Sequence, residues 1–144
     1  MRFKKQRILI VDDNNDILDI LSEFLLTQGF EAECAGNGVE ALSLFSEYHF
    51  DAVLTDFQMP RMNGLNLAHE IRKKEPQTLI IMMTSDIWMN VQEYDFMDYV
   101  VEKPFRLKEI NCILQGELES KEQTVNPQNY CSIYNQRTSA ELGV

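Results

Sequence analysis

Short apolar segments of strand length recur along the chain. The runs are Ile8–Val11, Ala52–Thr55, Leu79–Met83 and Tyr99–Val101. Most of them are apolar nearly throughout, which is typical of parallel strands covered on both faces. A further segment, FEAECA from Phe30, alternates instead and places Glu31 and Glu33 opposite its apolar residues. This alternation predicts an edge strand with one solvent-facing side.

Helical patterns fill the gaps between these segments. The first predicted helix has an apolar stripe of Ile17, Ile20, Leu21, Phe24 and Leu25. Gln28-Gly29 supplies its C-terminal stop. Asn37 followed by Glu40 resembles a capping box and predicts the start of a helix over Val39–Tyr48.

Two further stripes complete the pattern. They consist of Leu67, Ala68 and Ile71, ending near Pro76, and of Leu107, Ile110, Leu114 and Leu118. The resulting order, strand then helix repeated five times, predicts an α/β fold with a doubly wound parallel five-stranded sheet. We assign 1–118 to this domain and 119–144 to a polar C-terminal tail or linker. Tyr130, Ile133 and Tyr134 leave open a docking role for the tail.

Charge and cysteine usage exclude several classes of protein. The formal net charge is −10, and Ile8–Leu118 alone carries −13 from twenty acidic and seven basic residues. Such a body repels phosphate backbones, so we expect no direct nucleic-acid binding. The apolar run after the basic N-terminus is too short for a signal segment or a membrane span. Three widely spaced cysteines favour reduced thiols in a cytoplasmic protein over zinc or a disulfide framework.

The ends of the predicted strands carry the candidate chemistry. Asp12 and Asp13 follow the first strand, Asp56 the third, Thr84 the fourth and Lys103 the fifth. In an open parallel sheet, ligands bind beyond the carboxyl ends of the strands, where the strand order reverses. With the strand order 2-1-3-4-5, strands one and three are neighbours. We therefore expect all five residues to converge.

Three converging carboxylates repel one another unless a cation lies between them. Mg²⁺ suits such a site, because it prefers a few carboxylates, water and phosphate oxygens. Asp56 would be the nucleophile and become an aspartyl phosphate. Asp12, Asp13 and a backbone carbonyl would hold the metal. Lys103 and the Thr84 hydroxyl would each contact a phosphoryl oxygen.

At these residues the chain resembles the receiver domain of two-component response regulators, the CheY-like family. The matching motifs are the acidic pair Asp12–Asp13, LTDFQMPRMNGL with Asp56, MMTS with Thr84, and KPF from Lys103. The resemblance covers roughly Arg7 to Leu118. It implies a flavodoxin-like fold, phosphorylation of Asp56 by a histidine kinase or phosphotransfer protein, and often a cis peptide bond before Pro104. It also implies Mg²⁺ ligands at Asp12, Asp13, Asp56 and the Gln58 carbonyl.

The chain departs from the family in two places. Only 19 steps separate Thr84 from Lys103, so we expect a short or irregular fourth helix around Ile87, Val91 and Tyr94. Trp88 and Phe96 would then be partly exposed, either as a contact surface or as cover for the shortened loop. The usual aromatic switch position holds Val100. Tyr99, one step earlier, is expected to point to the other face of the sheet.

The sequence is compatible with three classes of function. The leading one is a signalling switch that is not an enzyme beyond its own phosphorylation and dephosphorylation. Its output would be altered protein–protein contacts, including self-dimerisation through the face formed by the fourth helix, fifth strand and fifth helix. The second is a receiver-like interaction module that is never phosphorylated. The third is a Mg²⁺-dependent hydrolase with an aspartate nucleophile, which would want an acid at position 58 instead of Gln58.

Overall fold

The protein alternates strands and helices as the sequence pattern predicts. The computed structural model describes residues 5–85 and 96–119. The strands are β1 (Arg7–Val11), β2 (Glu31–Ala35), β3 (Ala52–Asp56), β4 (Leu79–Thr84) and β5 (Tyr99–Glu102). The helices are α1 (Asn15–Thr27), α2 (Gly38–Glu47), α3 (Gly64–Lys74) and α4 (Leu107–Glu119), the last being the fifth predicted helix.

All five strands are parallel and lie in the order β2-β1-β3-β4-β5. The order reverses between β1 and β3, where Val11 lies opposite Thr55. Further along the sheet, Asp56 pairs with Met83, and Thr84 pairs with Glu102. The predicted strand order is therefore confirmed, and the carboxyl ends of β1, β3, β4 and β5 lie at one edge of the sheet.

Each face of the sheet has its own core. Alternate residues of the central strands, such as Ile8 and Leu54, pack towards α1 and α4. The intervening residues, such as Leu9 and Val53, pack towards α2 and α3. Strands β3 and β4 are buried along their whole length, because helices cover both faces.

The edge strand and most of the helix stripes follow the prediction. In β2, Glu31 and Glu33 are exposed, whereas Ala32 and Cys34 pack against the core. In α1 the stripe is rotated. Ile20 is 50% exposed, and Leu18 is buried in its place. The capping box of α2 is present, since the Asn37 side chain accepts a hydrogen bond from Glu40 N.

Arg72, in the last turn of α3, connects that helix to the residues before β4 and β5. Its guanidinium donates to the carbonyls of Pro76, Thr78 and Phe96. It also forms an ion pair with Asp98 Oδ2 at 2.6 Å. Because Asp98 also accepts from Ile80 N at 2.9 Å, the pair sets β5 against β4.

Several expectations fall on residues 86–95 and 120–144, which lie outside the described part of the chain. These are the fourth predicted helix with Trp88, and the tail. Phe96 is described; it is partly exposed, as predicted, and its ring meets the His69 ring edge-on at 4.5 Å. Cys34 is a free thiol, but Cys112 is disulfide-bonded. The expectation of reduced thiols is thus wrong for Cys112.

No helix among the described residues has the length and apolar character needed to cross a membrane.

Candidate functional site

The acidic pair lies directly beyond β1. Asp12 is buried, at 1% exposure, and its backbone N–H donates to the Ala35 carbonyl, which continues the pairing of β1 with β2. Its Oδ1 accepts from Asn14 N at 2.9 Å, at the N-cap of α1. Asp13, the next residue, is exposed. The pair therefore presents one fixed and one solvent-facing carboxylate.

Asp56 is the last residue of β3 and is 8% exposed. Its Oδ1 accepts a hydrogen bond from Phe57 N at 2.9 Å. The start of α3 lies close against its backbone, and Gly64 N donates to the Phe57 carbonyl at 2.8 Å. A Cβ on Gly64 would come within 2.3 Å of the Asp56 carbonyl oxygen. The close contact explains why a glycine stands eight residues after the acidic residue.

Lys103 closes the site from the other side. Its backbone N–H donates to the Thr84 carbonyl at 2.8 Å, immediately after β5 ends. Its Nζ donates to Asp12 Oδ2 at 3.3 Å and to Asp56 Oδ1 at 3.1 Å. The Lys103–Pro104 peptide bond is cis, as the family resemblance implies. Asp12, Asp13, Asp56 and Lys103 together are called the acidic pocket below.

The remaining predicted residues lie at the same edge of the sheet. Thr84 is the buried last residue of β4, next to β5 and Lys103. Gln58 is two residues beyond Asp56 on the β3–α3 loop, and its side chain is exposed. The predicted convergence of Asp12, Asp13, Asp56, Thr84 and Lys103 at the carboxyl edge is therefore present in the structure.

The pocket changes the acidity of two of its groups. Burial raises the pKa of Asp56 above its ordinary value; the hydrogen bond from Lys103 opposes this rise, and the charge of Asp12 adds to it. Burial would lower the pKa of Lys103, but the carboxylates of Asp56 and Asp12 outweigh it and raise the pKa. Lys103 therefore remains protonated, and its single positive charge does not fully neutralise the two carboxylates that it contacts.

The carboxylates also suit a divalent cation. One carboxylate oxygen from each of Asp12, Asp13 and Asp56 lies within 4.8 Å of the others. Oxygen ligands of an octahedral Mg²⁺, with bonds of about 2.0–2.1 Å, lie about 3–4 Å apart, so a small closure of the three side chains would satisfy the ion. Hard carboxylate oxygens are also the donor type that Mg²⁺ prefers. The residues fit the predicted metal.

Two backbone donors in the pocket were not anticipated from the sequence. Asn14 N and Phe57 N each fix one carboxylate oxygen, on Asp12 and Asp56 respectively. The only sequence signal for either is Asn14 as a helix N-cap, whose side chain accepts from Asp16 N. Every residue except proline has a backbone N–H, so the sequence does not show which ones donate to a carboxylate. The orientation of each carboxylate is therefore seen only in the folded structure.

The faces of β5 agree with the alternation argument. Tyr99 packs with the α1–α4 core, and its hydroxyl donates to Glu117 of α4. Val100 packs on the opposite side, with the α2–α3 core. Tyr99 thus lies on the face opposite the position that the family's aromatic switch would occupy in this strand.

Comparison with known proteins points to one family. Residues 8–115 match the sequence model described as the response regulator receiver domain. Regulatory protein AtoC of Escherichia coli is 42% identical over 117 residues, which cover 78% of this chain. The curated relatives that it matches are longer. The chain spans 25% of AtoC, and 34% and 47% of two others.

Solved structures agree with the sequence comparison. The response regulator TrrA of Thermotoga maritima, solved in complex with Mg²⁺-BeF, is 36% identical with a TM-score of 0.72, over 76% of this chain and 96% of its own. A CheY-like receiver domain protein from Methanospirillum hungatei is 28% identical with a TM-score of 0.76, over 85% of this chain and all of its own. The arrangement of strands and helices described above is thus that of receiver domains.

Proposed function

The chain belongs to the response regulator receiver domain family, and from this membership we propose that it is a signalling switch phosphorylated on Asp56. The observation that carries the proposal is the position of Asp56. Its carboxylate lies near those of Asp12 and Asp13, and one of its oxygens accepts from Lys103 Nζ at 3.1 Å, while Asp12 accepts from the same Nζ at 3.3 Å. A carboxylate held in one orientation at the carboxyl edge of a parallel sheet is suited to act as a nucleophile.

The proposed cofactor is Mg²⁺, held by Asp12, Asp13, Asp56 and the backbone carbonyl of Gln58. Such an ion supplies positive charge that neutralises the pocket and the incoming phosphoryl oxygens. Support comes from the three carboxylate oxygens that already lie within 4.8 Å of one another. It also comes from the TrrA relative, which was solved with Mg²⁺-BeF.

In the proposed reaction, an Asp56 carboxylate oxygen attacks the phosphorus of a phosphohistidine on a histidine kinase or phosphotransfer protein. The oxygen–phosphorus bond forms while the phosphorus–nitrogen bond breaks, and the electron pair of that bond leaves with the imidazole, which takes up a proton. Lys103 Nζ exchanges its contact with Asp56 for a phosphoryl oxygen. The Thr84 hydroxyl donates to another phosphoryl oxygen.

The proposed output is a population shift. The phosphoryl group favours an arrangement in which Lys103 and Thr84 turn towards it, and partners that prefer this arrangement bind. We assign this contact to the face around β5 and α4, acting on a downstream protein or a second copy of the chain. The switch works in the cytoplasm. It is not an enzyme towards other substrates and promotes only its own phosphorylation and dephosphorylation.

Acetyl phosphate with Mg²⁺, followed by intact-protein mass measurement, tests the proposal. We expect a gain of one phosphoryl group that is absent without Mg²⁺ and absent in Asp56→Asn. Asp19→Asn, which removes an exposed carboxylate from α1, should be phosphorylated like the parent. No modification under saturating donor would instead support the module that is never phosphorylated. Continuous turnover of an external phosphate ester would support the hydrolase.

A further inference from the structure

Three exposed cationic side chains lie at the edge of the sheet that carries the acidic pocket. Arg72 and Lys73 of α3 are paired with carboxylates. By contrast, the side chains of Arg61, Arg106 and Lys108 are exposed and make no ion pair or hydrogen bond within residues 5–85 and 96–119. Arg61 lies on the loop after β3, and the other two lie at the start of α4, after β5.

Topology places these charges around the pocket. The loops after β3 and β5 leave the same edge of the parallel sheet, one towards α3 on one face and the other towards α4 on the opposite face. Arg106 is three residues beyond Lys103, so their Cα atoms lie within about 11 Å. The Gly64 N–Phe57 O bond of 2.8 Å closes the other loop and keeps Arg61 near Asp56.

These residues depart from local preference, Arg61 in its backbone conformation and the other two in the position of their charge. Arg61 has φ of 72°, a conformation that a residue with a side chain rarely adopts. Arg106 and Lys108 flank the start of α4, where the positive end of the helix disfavours cations. Departures from local preference that no nearby contact compensates are expected at functional sites.

A phosphoryl donor meets an electrostatic obstacle at this protein. The donor is an anion, and the body from Ile8 to Leu118 carries a charge of −13. We propose that Arg61 and Arg106 guide the donor into the acidic pocket and make it prefer the more highly charged phosphoryl donors. This inference rests on the proposed function, because it concerns the donor for Asp56.

The size of the effect follows from Coulomb's law. At an assumed separation of about 10 Å in water, two guanidinium charges raise the local concentration of a doubly charged donor about threefold at 0.1 M ionic strength and about eightfold at 0.01 M. For a singly charged donor, the gain at 0.1 M is less than about twofold. Removing the two charges should therefore lower the rate of phosphorylation more for a doubly charged donor than for a singly charged one.

The test compares phosphorylation rates with acetyl phosphate and with the less charged phosphoramidate, at saturating Mg²⁺ and several ionic strengths. The test variant is Arg61→Asn/Arg106→Gln, in which asparagine tolerates the left-handed backbone. A charge-preserving variant is Arg61→Lys/Arg106→Lys. The control is Lys5→Gln, which removes an exposed charge next to the start of β1, at the opposite edge of the sheet.

We expect the test variant to lose about threefold in rate with acetyl phosphate at 0.1 M ionic strength, less with phosphoramidate, and to show a flatter salt dependence. The lysine variant should keep the parent rate, and Lys5→Gln should change both rates little. Equal losses with both donors, no loss, no recovery with lysine, or an equal loss in Lys5→Gln would each overturn the inference. A parent protein that accepts no phosphoryl group from either donor would overturn the proposed function itself.

Discussion

Replacing Gly64 with alanine would add a methyl group where the backbone of α3 touches the backbone of Asp56, the proposed phosphoacceptor. The new Cβ would lie 2.3 Å from the Asp56 carbonyl oxygen and 2.8 Å from Met82 Sδ. The Met82 thioether can rotate away, but the Asp56 carbonyl belongs to the fully buried strand β3. The strand end and the start of α3 must therefore move apart.

The required movement is large on the scale of the site. Lengthening the contact from 2.3 Å to the shortest distance that real Cβ atoms show, 3.0 Å, needs about 0.7 Å. Overpacking of this kind costs about 1–3 kcal/mol of folding free energy. A displacement of about 1 Å at a reacting group lowers a rate by about 100-fold, so we expect phosphorylation of Asp56 to slow by between one and two orders of magnitude.

Urea denaturation and the initial rate of phosphorylation by acetyl phosphate measure the two effects. Gly36→Ala is the matched control, because a Cβ at Gly36 would meet nothing closer than Glu40 Oε2 at 3.7 Å. The control should retain the parent's phosphorylation rate. If Gly64→Ala keeps the parent's stability and rate, the contact with Asp56 does not fix the acceptor. An equal loss in both variants would show that the added methyl group, and not its location, is responsible.

Three further predictions concern other parts of the molecule. Asp13→Asn should weaken Mg²⁺ binding without unfolding the protein, because this exposed carboxylate contributes charge and no packing; an unchanged Mg²⁺ titration would contradict its role as a ligand. Arg72→Ala should lower the free energy of unfolding by about 3 kcal/mol in urea, since it removes the ion pair with Asp98 and the donor to several carbonyls. Lys73→Ala, which breaks only an exposed pair, should change it by less than about 0.5 kcal/mol, and similar losses in both would refute this account. Burial raises the pKa of the Cys34 thiol, so iodoacetamide should modify it more slowly at neutral pH than an unstructured cysteine. The rate should increase only at a pH above the range in which ordinary thiols ionise. Equally fast alkylation at neutral pH would show an accessible thiolate.

Much of the fold could be read from the sequence because the buried strands leave a plain signal. Runs such as Leu79–Met83 have no polar residue and reappear as β4, buried on both faces. The alternation around Glu31 and Glu33 identified the edge strand and its exposed side. Once the strand order was assumed, the carboxyl-edge rule brought Asp56 and Lys103 together. The candidate site thus follows from the strand order, which brings together the residues at the ends of the strands.

Features that depend on three-dimensional packing could not be read in the same way. Apolar residues cover much of α1, so the sequence does not decide whether Leu18 or Ile20 faces the sheet, and only docking of the helix decides it. Arg72 reads as a favourable charge near a helix C-terminus. Its acceptors come from the following turn and from residues near Asp98, which become neighbours only in the folded chain.

The charges of the pocket explain why the proposed switch would use both a lysine and a divalent cation. Asp12, Asp13 and Asp56 bring three negative charges when ionised, and Lys103 returns one positive charge through contacts of 3.3 and 3.1 Å. The remaining charge of −2 equals what a single Mg²⁺ neutralises, so the metal and the lysine have complementary roles and neither replaces the other. In the proposed switch, a phosphoryl group on Asp56 would add negative charge to this balanced site. We expect Lys103 Nζ to leave Asp56, whose carboxylate would be used in the new bond, and to contact the phosphoryl oxygens instead. Because Lys103 N donates to the Thr84 carbonyl at 2.8 Å, we expect that movement to act directly on the ends of β4 and β5.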